Sequence, residues 1–204
     1  MKNSKKEVIG SRDFSVGSIT RNANEVSSAK ASGSYRVRCF DKDGRLKWED
    51  TIENQVTVEG AKLVLDTLMV GAANTTVYIG LISSVGWTSV AVGDTAAQIN
   101  GSNSWKEAGN GVNYPITSGA LRLAPSFSAA TGAASPVSKT HTAVGFSIVT
   151  TGGTVKGCFL ILNGTNAVAN TTGKLYSAGT FTGGDKVVSV GDTLNVTYTA
   201  QMTF

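Results

Sequence analysis

Hydrophobic and polar residues alternate over several parts of the chain with the period of two that is typical of β-strands. The longest such run is residues 193–204. On one face of it the pattern places Leu194, Val196, Tyr198, Ala200 and Met202. Near the start, residues 35–40 and 45–49 alternate on either side of the turn sequence at 41–44, which predicts a β-hairpin.

Further short segments rich in β-forming residues are separated by clusters of Gly, Ser, Asn or Thr. They are residues 76–82, 120–124, 143–149, 155–162, 174–181 and 186–190. Roughly seven to ten short strands, spaced in this way, predict an all-β fold: a jelly-roll-like β-sandwich.

One segment has the helical period instead. Its apolar positions are Ala61, Val64, Leu65 and Leu68. Thr57 is a suitable N-cap and Gly71 a suitable C-terminal stop, so we predict one short helix over residues 58–70.

The first 33 residues lack hydrophobic periodicity and are rich in Ser, Asn and Lys. They carry six basic and three acidic side chains, whereas the rest of the chain carries twelve basic and eleven acidic ones. We therefore predict an extended basic N-terminal arm at residues 1–33 and a β-sandwich domain at residues 34–204. The basic residues are too widely spaced for a nucleic-acid tail, so no nucleic-acid partner is expected.

Apolar residues are interspersed in the N-terminal arm. They are Val8, Ile9, Phe14, Val16 and Ile19. A segment of this composition becomes ordered only where it packs against its own domain or a partner, and we favour the partner. The candidate binding residues of the arm are Lys2, Lys5, Lys6, Val8, Ile9, Arg12, Phe14 and Arg21.

Overall composition supports a folded domain without a membrane segment. Hydrophobic residues make up 41% of the 204 residues and charged ones 16%. The longest apolar stretch, near residues 61–70, contains Lys62 and Asp66 and is too short to span a bilayer. The N-terminus lacks the apolar core of a secretory signal, so we expect synthesis in a cytoplasm.

Few residues of the chain are of the types that usually form catalytic or metal sites. The single histidine, His141, is expected at the surface, and Cys39 and Cys158 are predicted to be reduced thiols in the core. One histidine with two distant cysteines makes no zinc site, so no metal or cofactor is expected.

Two pairs of carboxylates, Asp94 with Glu107 and Asp185 with Asp192, resemble a glycosidase pair only because acids are spread over the domain. We therefore expect no catalytic site and no enzyme. A Gly- and Asn-rich stretch also contains three aromatic residues that fit either an interface or core role or a carbohydrate-stacking platform. They are Trp87, Trp105 and Tyr114.

Seven motifs of the sequence form a recognisable pattern. They are GRLKW at 44–48, ENQVTVEG at 53–60, VYIGL at 77–81, GDT at 93–95, GCFL at 157–160, LYSAGTF at 175–181 and GDTLNVT at 191–197. With these motifs the chain resembles, from about residue 35 to its end, a family of tailed-bacteriophage virion proteins encoded close to the major capsid protein. Residues 101–115 depart from the pattern of that family.

The resemblance implies a structural protein that binds the outside of a phage capsid and cements capsomer junctions. It also implies a virion location, the major capsid protein as partner, and a homotrimer. The alternative is a carbohydrate-binding head-fibre or tail-associated module, which would use Trp87, Trp105 and Tyr114.

Overall fold

A computed structural model describes residues 29–71, 73, 76–86, 89–99, 105–109 and 122–204. Within these ranges the chain is mostly β-strand, with one α-helix and a short 3-10 helix at Ala96–Gln98. The strands are β1 (Lys30–Phe40), β2 (Leu46–Glu53), β3 (Gln55–Val56), β4 (Val77–Ser83), β5 (Lys106–Glu107), β6 (Val137–Thr140), β7 (Val144–Ser147), β8 (Gly153–Leu162), β9 (Lys174–Thr180), β10 (Lys186–Val188) and β11 (Thr193–Thr203), and the helix is α1 (Val58–Val70). The predicted all-β class is confirmed.

The strands form two antiparallel sheets. The first has the order β2-β1-β11-β6, with β7 also paired to β11, and the second has the order β3-β9-β8-β4-β5, with β10 paired to β8. The strands β1 and β11 pair along their full lengths, from Lys30 opposite Thr203 to Phe40 opposite Thr193. The predicted hairpin of β1 and β2 is confirmed. The jelly-roll-like topology stays a prediction.

The main core lies between the two sheets. Residues of β1 and β11 in the first sheet pack against residues of β4 and β8 in the second, with the aliphatic side chains of Val37, Val196, Leu81 and Leu160 among them. The hydroxyl of Tyr35 also lies 2.7 Å from the hydroxyl of Ser177 in β9, which links the sheets through a buried hydrogen bond. The two sheets are therefore the layers of a β-sandwich.

The second sheet is also covered on its other face. There Phe159 and Ile161 of β8 pack with Ile99 and Trp105, which follow β4 in the chain. The outer face of the first sheet instead carries polar side chains, such as the ion pair of Arg36 and Glu49. The second sheet therefore forms the buried middle layer of the molecule.

Helix α1 has the predicted bounds and caps. The Thr57 hydroxyl accepts a hydrogen bond from the Gly60 amide at 3.0 Å, and Gly71 ends the helix with a φ of 69°. The helix lies directly on β9 at Gly60, where a Cβ atom would collide with the backbone of Tyr176. Only glycine allows this close approach of the two backbones.

The first sheet begins inside the segment that the sequence assigned to the N-terminal arm, because β1 starts at Lys30.

The two predicted core thiols, Cys39 and Cys158, are confirmed as buried and unpaired with each other. Burial raises the pKa of Cys39 to about 12 and raises the pKa of Cys158 as well. Both thiols are therefore protonated near neutral pH, in the form that is a poor nucleophile.

Candidate functional site

Most residues that the sequence proposed for binding fall outside the described parts of the chain. These are Lys2, Lys5, Lys6, Val8, Ile9, Arg12, Phe14, Arg21, Trp87 and Tyr114. Of the candidate contact residues, Trp105 lies within the described ranges, so its surroundings can be compared with the core and contact roles proposed for it.

Trp105 has no exposed surface. Its ring packs against the ring of Phe159, and the two ring centroids are 5.2 Å apart. Its indole nitrogen donates a hydrogen bond to Asp94 Oδ2 at 3.4 Å. The hypothesis that Trp105 contacts a glycan or a partner is therefore wrong. The segment after β4 folds back over the second sheet and buries this side chain, so it belongs to the core.

Glu107, one of the four carboxylates considered for a glycosidase pair, is bound by Arg122. The guanidinium donates from Nε to Oε1 and from Nη2 to Oε2, both at 2.8 Å. The two side chains are 1% and 0% exposed. A bidentate pair of this kind, removed from water, is a structural link with strict geometry.

The same pair holds a neighbouring loop. Glu107 Oε2 accepts a hydrogen bond from the Ala169 amide at 2.9 Å, and Arg122 donates to the carbonyls of Asn170 at 2.7 Å and Thr165 at 3.3 Å. The pair therefore connects β5 to the loop between β8 and β9. Nothing in the sequence pattern pointed to Arg122, because its partners are distant along the chain.

The other three candidate carboxylates also have structural partners. Asp94 accepts a hydrogen bond from the Ala91 amide at 2.9 Å, and Asp185 pairs with Lys156 at 2.7 Å. Asp192, which is nearly buried, binds Lys47 Nζ and accepts from the Ser189 amide at 2.8 Å. These bonds join turns and strands of the sandwich.

His141 is buried, so the prediction of a surface histidine is wrong. It lies between β6 and β7, where the edge of the first sheet is interrupted. Its Nε2 accepts a hydrogen bond from the Tyr198 amide of β11 at 2.8 Å, in place of a backbone carbonyl. The other ring nitrogen, Nδ1, therefore carries the proton and donates to the Thr142 carbonyl.

We expect the free energy of unfolding to fall as the pH is lowered below about 6.5, the ordinary pKa of histidine. Burial lowers the pKa of His141 in the folded protein, so the unfolded chain binds a proton in a pH range where the folded chain does not. Protonation would also remove the acceptor of the Tyr198 amide. Urea denaturation between pH 5 and pH 7 measures the effect.

The chain has a single histidine, so the variant His141→Gln serves as the control. It removes the titrating ring and should flatten the stability curve between pH 5.5 and pH 7. A wild-type curve that is already flat in this range would contradict the assignment.

Helix α1 exposes apolar side chains on the side that faces away from β9. The exposed fractions are 46% for Val58, 58% for Leu65 and 76% for Met69, and Ala61 is exposed as well. We call these four residues the outer face of α1. The Val58 amide donates a hydrogen bond to the Val92 carbonyl at 2.8 Å, and the side chain of Val92 is also 51% exposed.

Charged residues border this surface. A cleft of about 450 Å³ lies beside the helix and is lined by Lys62, Asp66 and Lys174, among other residues. Glu59 anchors one wall of the cleft, because its carboxylate pairs with Lys174 at 3.1 Å and accepts from the Leu175 amide at 2.8 Å. An apolar patch with a polar rim is the usual arrangement of a protein-binding surface.

Within the described parts of the chain, no helix has the length and apolar character that crossing a membrane requires. No group of three or more His, Cys, Asp or Glu residues within the same ranges is arranged to hold a metal ion.

Comparison of the chain with protein-family models, with curated proteins and with solved structures finds no significant match.

Proposed function

We propose that the protein is a structural component of a bacteriophage virion, which binds the outside of the capsid and cements the junctions between capsomers. The observation that carries this proposal is the outer face of α1, an exposed apolar surface on a rigid sandwich. The resemblance of the seven motifs to a family of phage virion proteins implies the major capsid protein as the partner.

Single exposed apolar residues are normal on protein surfaces, but a contiguous group often marks a binding site. Val58, Leu65 and Met69 lie on the same side of α1, with about two helical turns between the first pair and one between the second, and Val92 adjoins Val58. Helix α1 is fixed to β9 through Gly60, so this surface is presented by a well-packed element. A cementing protein needs such a preformed surface, because little conformational entropy is then lost on binding.

Trimer formation and the N-terminal arm are further parts of this proposal. Three copies bound at a threefold position would combine weak contacts into strong attachment through avidity. The basic residues Lys2, Lys5, Lys6, Arg12 and Arg21 would add salt-sensitive attraction to an acidic capsid surface. The protein would then be synthesised in the host cytoplasm and reside on the virion surface.

The test uses capsids stripped of this protein and the full-length variant Leu65→Asp/Met69→Asp. We expect at least a tenfold loss of capsid affinity, since burying one large apolar side chain contributes about 1.5–3 kcal/mol and 1.4 kcal/mol is a factor of ten. The matched control is Val187→Asp, which changes a valine with 66% exposure on β10.

Circular dichroism must show that both variants remain folded. Wild-type affinity of the α1 variant would contradict the proposal, as would an equal loss of affinity in the Val187 control. Full-length protein that fails to bind the stripped capsids at all would contradict the capsid as partner.

A further inference from the structure

A groove of about 220 Å³, open to solvent, runs between the two sheets. We call it the end groove. The residues that line it include Val77 and Leu162 from the second sheet, Tyr198 and Ala200 from β11, Tyr176 from β9, and Phe127. It exposes apolar surface that elsewhere between the sheets is buried.

The end groove leads to the point where the chain enters the first sheet. A second depression of about 140 Å³ shares Tyr176 and Ala200 with it and extends to Val64 of α1, Met202 and Ala31. Ala31 is the second residue of β1. The N-terminal arm therefore joins the domain at the edge of this apolar surface.

The lining of the end groove suits apolar side chains. The Tyr198 hydroxyl is already bonded to Asn54 Nδ2 at 3.0 Å, and the charged residue of the lining, Lys139, is exposed. The volume is below the range of about 300–1,000 Å³ that is usual for small-molecule sites. A few side chains of a peptide segment fit this groove better than a cofactor or metabolite does.

We propose that the end groove binds residues 14–19 of the N-terminal arm of the same chain. This segment has the sequence FSVGSI, so Phe14 and Val16 share one side when it is extended, and Ile19 follows after small residues. The eleven residues between Ile19 and Ala31 span up to about 36 Å at about 3.3 Å per residue. The segment therefore reaches the groove from its own attachment point.

Attachment to the same domain favours this occupant over a second copy. A short flexible connection gives an effective concentration of about millimolar, and closing a loop of this length costs little more entropy than closing a shorter one. Docking of residues 14–19 would leave the more N-terminal basic residues Lys2, Lys5, Lys6 and Arg12 exposed. The inference goes beyond the proposed function and does not depend on it.

A disulfide trap in the full-length chain tests the position of the segment. Lys139 is exposed at the groove and lies opposite Ala200 in the sheet, so the variant Val16→Cys/Lys139→Cys places one thiol on each partner. We expect an intramolecular disulfide on mild oxidation, at a rate that does not change with protein concentration. The native thiols Cys39 and Cys158 are buried and stay reduced.

The matched control is Val16→Cys/Lys42→Cys. Lys42 is exposed in the β1–β2 turn. This turn follows the C-terminal end of β1, whereas Ala31 lies at the N-terminal end of the same strand. We expect at least about a tenfold slower disulfide in the control, because its thiols lack the effective concentration that docking provides. Equal rates in the two variants would overturn the proposal, and disulfide-linked dimers would show that a second copy supplies the segment.

A second measurement does not depend on cysteine chemistry. In the variant Phe14→Ser/Val16→Ser the end groove should be vacant, and fluorescence of the dye ANS should rise about twofold or more, because ANS binds exposed apolar surface. The control Val8→Ser/Ile9→Ser removes two apolar residues of the arm outside the docked segment. An equal rise in both variants, or no rise in either, would overturn the proposal.

Discussion

Replacing Arg122 with methionine should lower the free energy of unfolding by about 3–5 kcal/mol, because a buried ion pair that loses one partner leaves an uncompensated charge. Glu107 would then lie in the interior without the guanidinium that now binds both of its oxygens. The loop between β8 and β9 would also lose the bonds from Arg122 to Asn170 and Thr165. Urea denaturation at neutral pH measures the loss.

Two controls separate this effect from general damage to the core. The variant Arg122→Met/Glu107→Leu removes both charges and should be more stable than Arg122→Met alone, since an apolar pair often replaces a buried ion pair at little cost. Arg36→Met breaks the exposed pair with Glu49 and should cost less than about 1 kcal/mol. A single Arg122 variant as stable as the Arg36 variant would contradict the assigned role.

The strands and the helix were predictable where the signal is local. The alternation in β11 and in the β1–β2 hairpin arises from the two-residue period of a strand with one buried face. The bounds of α1 follow from Thr57 and Gly71, which satisfy the helix ends through their own side chain and backbone conformation. Each of these features depends on residues that are close together in the sequence.

The rotation of α1 on the sheet was not predictable in the same way. An apolar stripe normally faces the core, yet Leu65 points away from β9 and Gly60 lies against it. Close contact with the backbone of Tyr176 requires a glycine at position 60. This contact is not visible in the sequence, because Tyr176 lies in a strand more than a hundred positions away. The outer face of α1, on which the proposed capsid contact depends, became visible only in the fold.

Polar residues in the core were missed for a related reason. His141 replaces a backbone acceptor for Tyr198, and Arg122 neutralises Glu107, but each role exists only after distant segments have come together. From composition alone these residues resemble solvated side chains, because charged and imidazole groups are mostly exposed. The sequence therefore predicted the strands and sheets better than the buried hydrogen bonds and ion pairs that hold the sheet edge and the loops in place.

Replacing Trp105 with alanine should also lower the free energy of unfolding by about 3–5 kcal/mol, the usual cost of removing a large buried aromatic side chain. The change would leave a cavity beside Phe159 and Ile99 and would remove the indole donor to Asp94. Thermal and urea denaturation measure the effect. Trp48→Ala provides a comparison. Because Trp48 is only partly buried, its removal should lower the free energy of unfolding by less.

The same variant separates the core role of Trp105 from the carbohydrate-binding alternative. A stacking platform needs an exposed ring, so its removal would abolish glycan binding and leave stability nearly unchanged. A core residue gives the opposite result, in which stability falls and any loss of binding follows the unfolded fraction. A Trp105→Ala protein that keeps wild-type stability but no longer binds a glycan would therefore restore the alternative, whereas the burial of this ring leads us to expect destabilisation.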